Sequence, residues 1–137
     1  MSQLHEALDA AHRYALDWLD SLPTRDIPGR AAVEDVAALL GDLPENPQPA
    51  AQVIEHLADA VEPGLTAMPS GRWFGMVIGG THPAGLAADW LASAWDQNSA
   101  LAAATPGTVA VEAVADRWLL DLLGLPATAG VGMVTGA

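Results

Sequence analysis

Prolines and glycines cut this chain into short pieces, and no regular element can run through the cuts. Breakers fall at 22–31 (two prolines and a glycine), at 43–49 (three prolines), at Pro63-Gly64, across the glycine-dense stretch 70–81, and at Gly124-Leu125-Pro126. Proline removes a backbone donor and clashes with the preceding turn, and glycine lowers helix propensity, so each cluster ends an element. Between them, apolar residues recur at three- and four-residue intervals, the signature of amphipathic helices. Leu4, Leu8, Ala11, Ala15, Trp18 and Leu19 predict a helix over 2–21 with Ser2 as its N-cap and Pro23 beyond its end. Val33, Val36, Leu39 and Leu40 predict a short helix over 32–41, inward on that face and stopped by Gly41. Val53, Ile54, Leu57 and Val61 predict a third, over about 50–62.

The second half begins differently. Trp73, Phe74, Met76, Val77 and Ile78 are strand-like residues interrupted by Gly71, Gly75, Gly79 and Gly80, which predicts an irregular extended segment. Thr81 and Pro83 open a helix that runs to about Trp95, with proline near its first position. Asp96-Gln97-Asn98-Ser99 breaks it. A last helix over about 107–123, capped by Thr105 or Thr108, carries Val111, Val114, Ala115, Trp118, Leu119, Leu122 and Leu123, with Gly124 as its stop. The chain is thus expected to be mainly α, with an N-terminal helical arm over 1–69 and a second region over 70–137.

Composition restricts the chemistry. The sequence holds 17 acidic residues against 5 basic ones, a net charge of −12. All the basic residues are arginines: Arg13, Arg25, Arg30, Arg72 and Arg117. Such a balance argues against a nucleic-acid backbone or an anionic membrane as partner. Without lysine, no side chain here can form a Schiff base with a carbonyl cofactor. Without cysteine there are no disulfides and no thiolate nucleophiles or ligands. The N-terminus has neither a basic segment nor an apolar core of the signal-peptide kind, and no run of about eighteen apolar residues suits a membrane span, so the expected location is cytoplasmic. His5, His12, His56 and His82 have no metal-ligand spacing with neighbouring carboxylates. The tryptophans Trp73, Trp90, Trp95 and Trp118 are expected in a core or a dimer interface.

Residues 70–137 carry a series of motifs. Ser70-Gly71-Arg72-Trp73-Phe74-Gly75 is similar to a His-Pro-Arg-Phe-Phe-Gly pattern, and Gly79-Gly80-Thr81-His82-Pro83-Ala84 to a glycine- or serine-rich turn before a Pro-Ala helix. Thr105-Pro106 with Glu112 resembles Ser-Pro-Ala…Leu-Glu. Trp118-Leu119 with Leu122-Leu123-Gly124-Leu125-Pro126 resembles Trp-Leu…Leu-Gly-Leu-Pro. Gly132-Met133-Val134-Thr135-Gly136-Ala137 looks like the start of Gly-x-x-x-Ser/Thr-Gly-Gly/Ala. Each is weak alone. In this order they resemble the group II pyridoxal-phosphate-dependent decarboxylases, the family of the aromatic amino-acid, histidine and glutamate decarboxylases.

The resemblance implies an α/β parent fold of the aspartate-aminotransferase type (fold type I), an obligate homodimer whose N-terminal helices wrap the partner, and pyridoxal 5'-phosphate as cofactor. The chain then reads as the N-terminal part of an amino-acid carboxy-lyase: arm over 1–69, start of the cofactor-binding large domain over 70–137. The remainder of the enzyme, or a complementary C-terminal chain, supplies the catalytic lysine, and the chain alone is expected to be inactive. By position in the motifs, Gly136 and Ala137 match the start of the loop that cradles the cofactor phosphate. Ile78 and Gly79 match the substrate side of the pocket, and Gln97 and Asn98 a loop reaching the neighbouring subunit's site. Gln97-Asn98 also fits an ordinary helix end. Ser70-Gly71 departs from the family's His-Pro. The substrate is expected to be a small-molecule amino acid, apolar or aromatic rather than acidic, with Arg72 as the one local cation. Two alternatives stay open: a same-fold aldehyde synthase or aldolase, and a stand-alone acidic helical interaction module without catalysis.

Overall fold

The computed structural model describes residues 2–76, 78 and 80–134. Among them all regular structure is helical, and the chain divides into two compact units, residues 1–81 and 82–137.

The first unit holds α1 (Gln3–Ser21), α2 (Val33–Leu40), α3 (Ala50–Val61) and a 3-10 turn, Glu62–Gly64. Ser2 caps α1 as expected, its Oγ accepting from the His5 amide at 3.4 Å. Asp35 closes the start of α2 by accepting from the Ala32 amide at 3.1 Å. Gly41 ends that helix at φ 72°, a left-handed conformation that glycine adopts without a Cβ clash. α3 packs on both α1 and α2. Each of α1 and α3 buries an alanine, Ala10 and Ala60, small residues that let helix backbones come close. Polar bridges tie the rim of this pair: Arg13 to Glu55 at 2.9 Å, and the Tyr14 hydroxyl donating to Asp59 at 2.8 Å. His56 Nε2 meets the Leu40 carbonyl at 3.1 Å and joins α3 to the end of α2.

Tyr14 is the chain's one tyrosine, so its titration can be followed without ambiguity. Its bond to Asp59 raises its pKa above the ordinary 10.0, with partial desolvation and the Asp59 and Glu55 charges adding to the rise and Arg13 opposing it. A folded-state value above the unfolded one means that the bond stabilises the fold fully below about pH 10 and is lost as pH climbs through the raised value. The tyrosinate absorbance of the folded chain should therefore appear at higher pH than in urea. Coincident titrations would show that the bond does not form.

The loop 22–31 is irregular but not loose. The amides of Arg30 and Ala31 donate to the Pro63 carbonyl at 2.7 and 3.0 Å, and the Ala67 amide donates to Ile27 at 2.8 Å. Ala67 is fully buried beneath it. Beside it the Arg25 guanidinium lies 3.7 Å from the Trp18 ring centroid, pairs with Glu62, and donates to Ser21 Oγ at 2.7 Å.

The second unit holds α4 (Pro83–Trp95) and α5 (Pro106–Leu122). Both begin with proline at the first turn, where its missing N–H costs nothing. α4 ends at Asp96, in the left-handed region at φ 48°, which aspartate tolerates better than most residues. Gly124, at φ 64°, follows α5.

One expectation about packing does not hold, and a second is narrowed. Val33 is 80 % exposed and Leu39 51 %, so only Val36 of the expected inward face of α2 is half-buried. Trp95 and Trp118, at 59 % and 67 % exposure, are not core residues among the described residues, which leaves a dimer interface as the remaining part of their expectation. The physical reason is the same in both: these residues lie on α2, α4 and α5, and no element of the same unit covers those positions.

Candidate functional site

The expected site residues fall in two places, one in each unit. In the first unit, Ser70 is buried and Arg72 holds the chain down at the head of the glycine-dense stretch. Ser70 Oγ donates to the Leu22 carbonyl at 3.4 Å. Arg72 Nη2 donates to Leu22 at 3.0 Å and to the Arg25 carbonyl at 2.5 Å. The Trp73 amide donates to the Ser70 carbonyl at 3.0 Å, closing a turn. Beyond it, Phe74 is 90 % exposed and Met76 sits at φ 57°, an unusual conformation for a bulky residue. Ile78 follows, half-exposed, in irregular backbone. Gly79 lies outside the described residues.

In the second unit, Gln97 and Asn98 form the loop after α4. Their amides are spent locally. Gln97 Nε2 donates to the Trp95 carbonyl at 2.7 Å, and Asn98 Oδ1 accepts from the Ala100 amide at 2.8 Å. Thr105 does not cap α5 through its side chain. Its hydroxyl instead bonds the Asn98 carbonyl and, at 3.1 Å, the Leu101 carbonyl, closing the loop into a ring. Gln97 is nonetheless on a cleft of about 480 Å³ with Trp95, Gly107, Thr108 and Val111. The sequence reading missed the last three as wall residues. They sit on the first turns of α5, and no sequence spacing ties those turns to the Gln97 loop.

Apolar walls with one amide and one hydroxyl suit an organic ligand that presents mostly carbon and a few polar atoms. Among the described residues no charged side chain lines this cleft. Gly136 and Ala137, the expected edge of a phosphate site, lie outside the described residues.

A sequence profile of the pyridoxal-dependent decarboxylase conserved domain matches residues 34–137. The chain belongs to this family. The match takes in α2 and α3 as well as the motifs from Ser70 onward, so family character begins well before the segment whose motifs first pointed to it. No curated protein and no solved structure gives a match.

The family's cofactor, pyridoxal phosphate, bonds through its aldehyde to a lysine amine. The 137 residues contain no lysine, and the cleft beside Gln97 has no cation to meet a phosphate. The cofactor's anchoring group is therefore not among these residues, and no chemical step of the decarboxylase family is assigned to them.

Proposed function

We propose that this chain forms the N-terminal part of a pyridoxal-phosphate-dependent amino-acid decarboxylase. The observation that carries the proposal is the family match over residues 34–137. In this reading residues 1–69 are the helical dimerisation arm, and residues 70–137 open the large cofactor-binding domain of a fold-type-I, α/β homodimer. Ile78, Gly79, Gln97 and Asn98 contribute to the substrate wall, and Gly136 and Ala137 to the first edge of the phosphate site. The amine that holds the cofactor comes from outside these residues. The substrate is a small-molecule amino acid, and the cytoplasm is the expected place of action, with no nucleic-acid or membrane partner. Among the described helices none is long and apolar enough to cross a membrane.

The exposed stripe on α5 favours this reading over a self-sufficient helical module. Val111, Trp118 and Leu122 are each about two-thirds exposed or more. At helical spacing they make one continuous apolar face, of the kind that soluble monomers rarely leave to water.

The test has two arms. Alone, the chain incubated with pyridoxal phosphate and then reduced with borohydride should carry no adduct on any internal peptide, because arginine does not form the bond that lysine does. Mixed with a complementary downstream segment of the family, it should co-elute in size exclusion and bring the cofactor's visible absorbance with it. A complex that forms and never retains cofactor contradicts the proposal. So does an isolated chain that melts cooperatively as a monomer.

A further inference from the structure

Arg72 is the one basic side chain at the head of the glycine-dense stretch, and an obvious assignment for it is to a substrate carboxylate. The geometry points to another role. One of its terminal nitrogens, Nη2, donates to two backbone carbonyls, Leu22 at 3.0 Å and Arg25 at 2.5 Å, which lie 50 and 47 residues earlier in the chain. Leu22 is the C-terminal cap residue of α1, where helix carbonyls lack partners and the helix dipole favours a cation. The Leu22 carbonyl also accepts from Ser70 Oγ, so two side chains of one turn close on the same helix end.

The second carbonyl is held in its turn. Arg25 is fixed by its stack on Trp18 and by its bonds to Glu62 and Ser21. Arg72 thus grips a rigid part of the fold. Downstream the chain has no such grip: Phe74 is almost fully exposed, and no hydrogen bond from the side chains of residues 73–76 holds them.

We propose that Arg72 is a positioning residue, a latch that fixes residues 70–76 to the end of α1 and so sets where the chain departs towards Ile78, and that it is not a carboxylate anchor. The latch stands on the geometry alone. Its consequence for a substrate wall at Ile78, and the resulting preference for a substrate without a side-chain carboxylate, rest on the decarboxylase reading.

Hydrogen exchange followed by mass spectrometry on the full chain tests it. Arg72→Met should speed exchange of the hydrogen-bonded amides of this stretch, those of Ser70, Arg72 and Trp73, roughly fivefold, the factor that corresponds to one net hydrogen bond of ordinary strength, while α1 and α3 exchange at the wild-type rate. Arg72→Lys keeps the charge but not the planar fork, and should restore only part of the protection. Unchanged exchange at 70–76, or an equal increase throughout α1 and α3, overturns the proposal. If Arg72→Met does not fold, Arg72→Lys is judged by the same two criteria. Millimolar glutamate added to the wild-type chain should leave exchange at 70–76 unaltered. Slowing there would show that a carboxylate reaches the guanidinium and would overturn the second half of the claim. None of these measurements uses the cofactor, so loss of the latch and loss of the decarboxylase reading are told apart.

Discussion

Gly29→Ala should destabilise the first unit by about 1–3 kcal/mol, the usual cost of forcing extra volume into close-packed surroundings. A Cβ on Gly29 would lie 2.5 Å from the Gly64 carbonyl oxygen and 2.6 Å from its carbon. Those are backbone atoms, which cannot turn aside as the end of a side chain can. Relief requires separating the loop from the 3-10 turn, and the same two segments are joined by the amides of Arg30 and Ala31 on the Pro63 carbonyl. The substitution therefore sets a steric clash against two hydrogen bonds. For a unit of this size the loss corresponds to a fall in melting temperature of roughly 4–8 °C per kcal/mol. Gly71→Ala is the control. Nothing lies within 4 Å of its Cβ position, and its φ is not in the left-handed region, so it should be neutral or stabilise by about 0.4–1 kcal/mol through the unfolded chain. Urea unfolding of the full chain followed by circular dichroism separates the two. Equal stabilities would mean that the loop and turn are not in contact in solution.

The Gly29 contact also shows where sequence reading stops. Helix ends were legible because each is set by a residue or two acting locally: Ser2, Gly41, Pro83 and Gly124 all stand at or beside the ends where they were expected. Contacts between distant segments leave no local trace. Nothing around Gly29 announces Gly64, and nothing around Arg72 announces Leu22. Periodicity told which faces of α2 and α5 seek cover but not whether cover lies within the chain, hence the exposed Val33 and Trp118. For the site, the motifs identified the family, and the conserved-domain match extended it to residue 34. Gln97 was placed by motif order alone. Its neighbours Thr108 and Val111 depend on how the loop and α5 come together, which spacing does not encode.

Arg25→Met should cost about 1–3 kcal/mol, and the way the loss responds to salt should identify its source. The Arg25 side chain has three partners, the Trp18 ring, the Glu62 carboxylate and Ser21 Oγ, of which the first two respond differently to salt. The guanidinium lies 3.7 Å from the centroid of the Trp18 ring, and a cation over an indole face contributes roughly 0.5–2 kcal/mol, more as water is excluded. Its pair with Glu62 is partly open to solvent, with side-chain exposures of 19 % and 44 %, so it is weighted as a half-exposed pair at about 0.2–1 kcal/mol. Methionine keeps much of the stem and loses both of these interactions together with the bond to Ser21 Oγ. Lysine keeps the charge for Glu62 but not the flat surface that stacks on Trp18. If the stack dominates, Arg25→Lys should lose more than half of what Arg25→Met loses, and about 1 M salt should shrink neither loss by much, because contact at this range is poorly screened. If the pair dominates, Arg25→Lys should be nearly wild type and salt should erase most of the methionine effect. The magnitudes favour the stack. They also place Arg25 beneath Arg72: its side chain holds the backbone carbonyl that Arg72 grips. Arg25→Met should therefore speed exchange at residues 70–76 although that substitution removes no atom touching them.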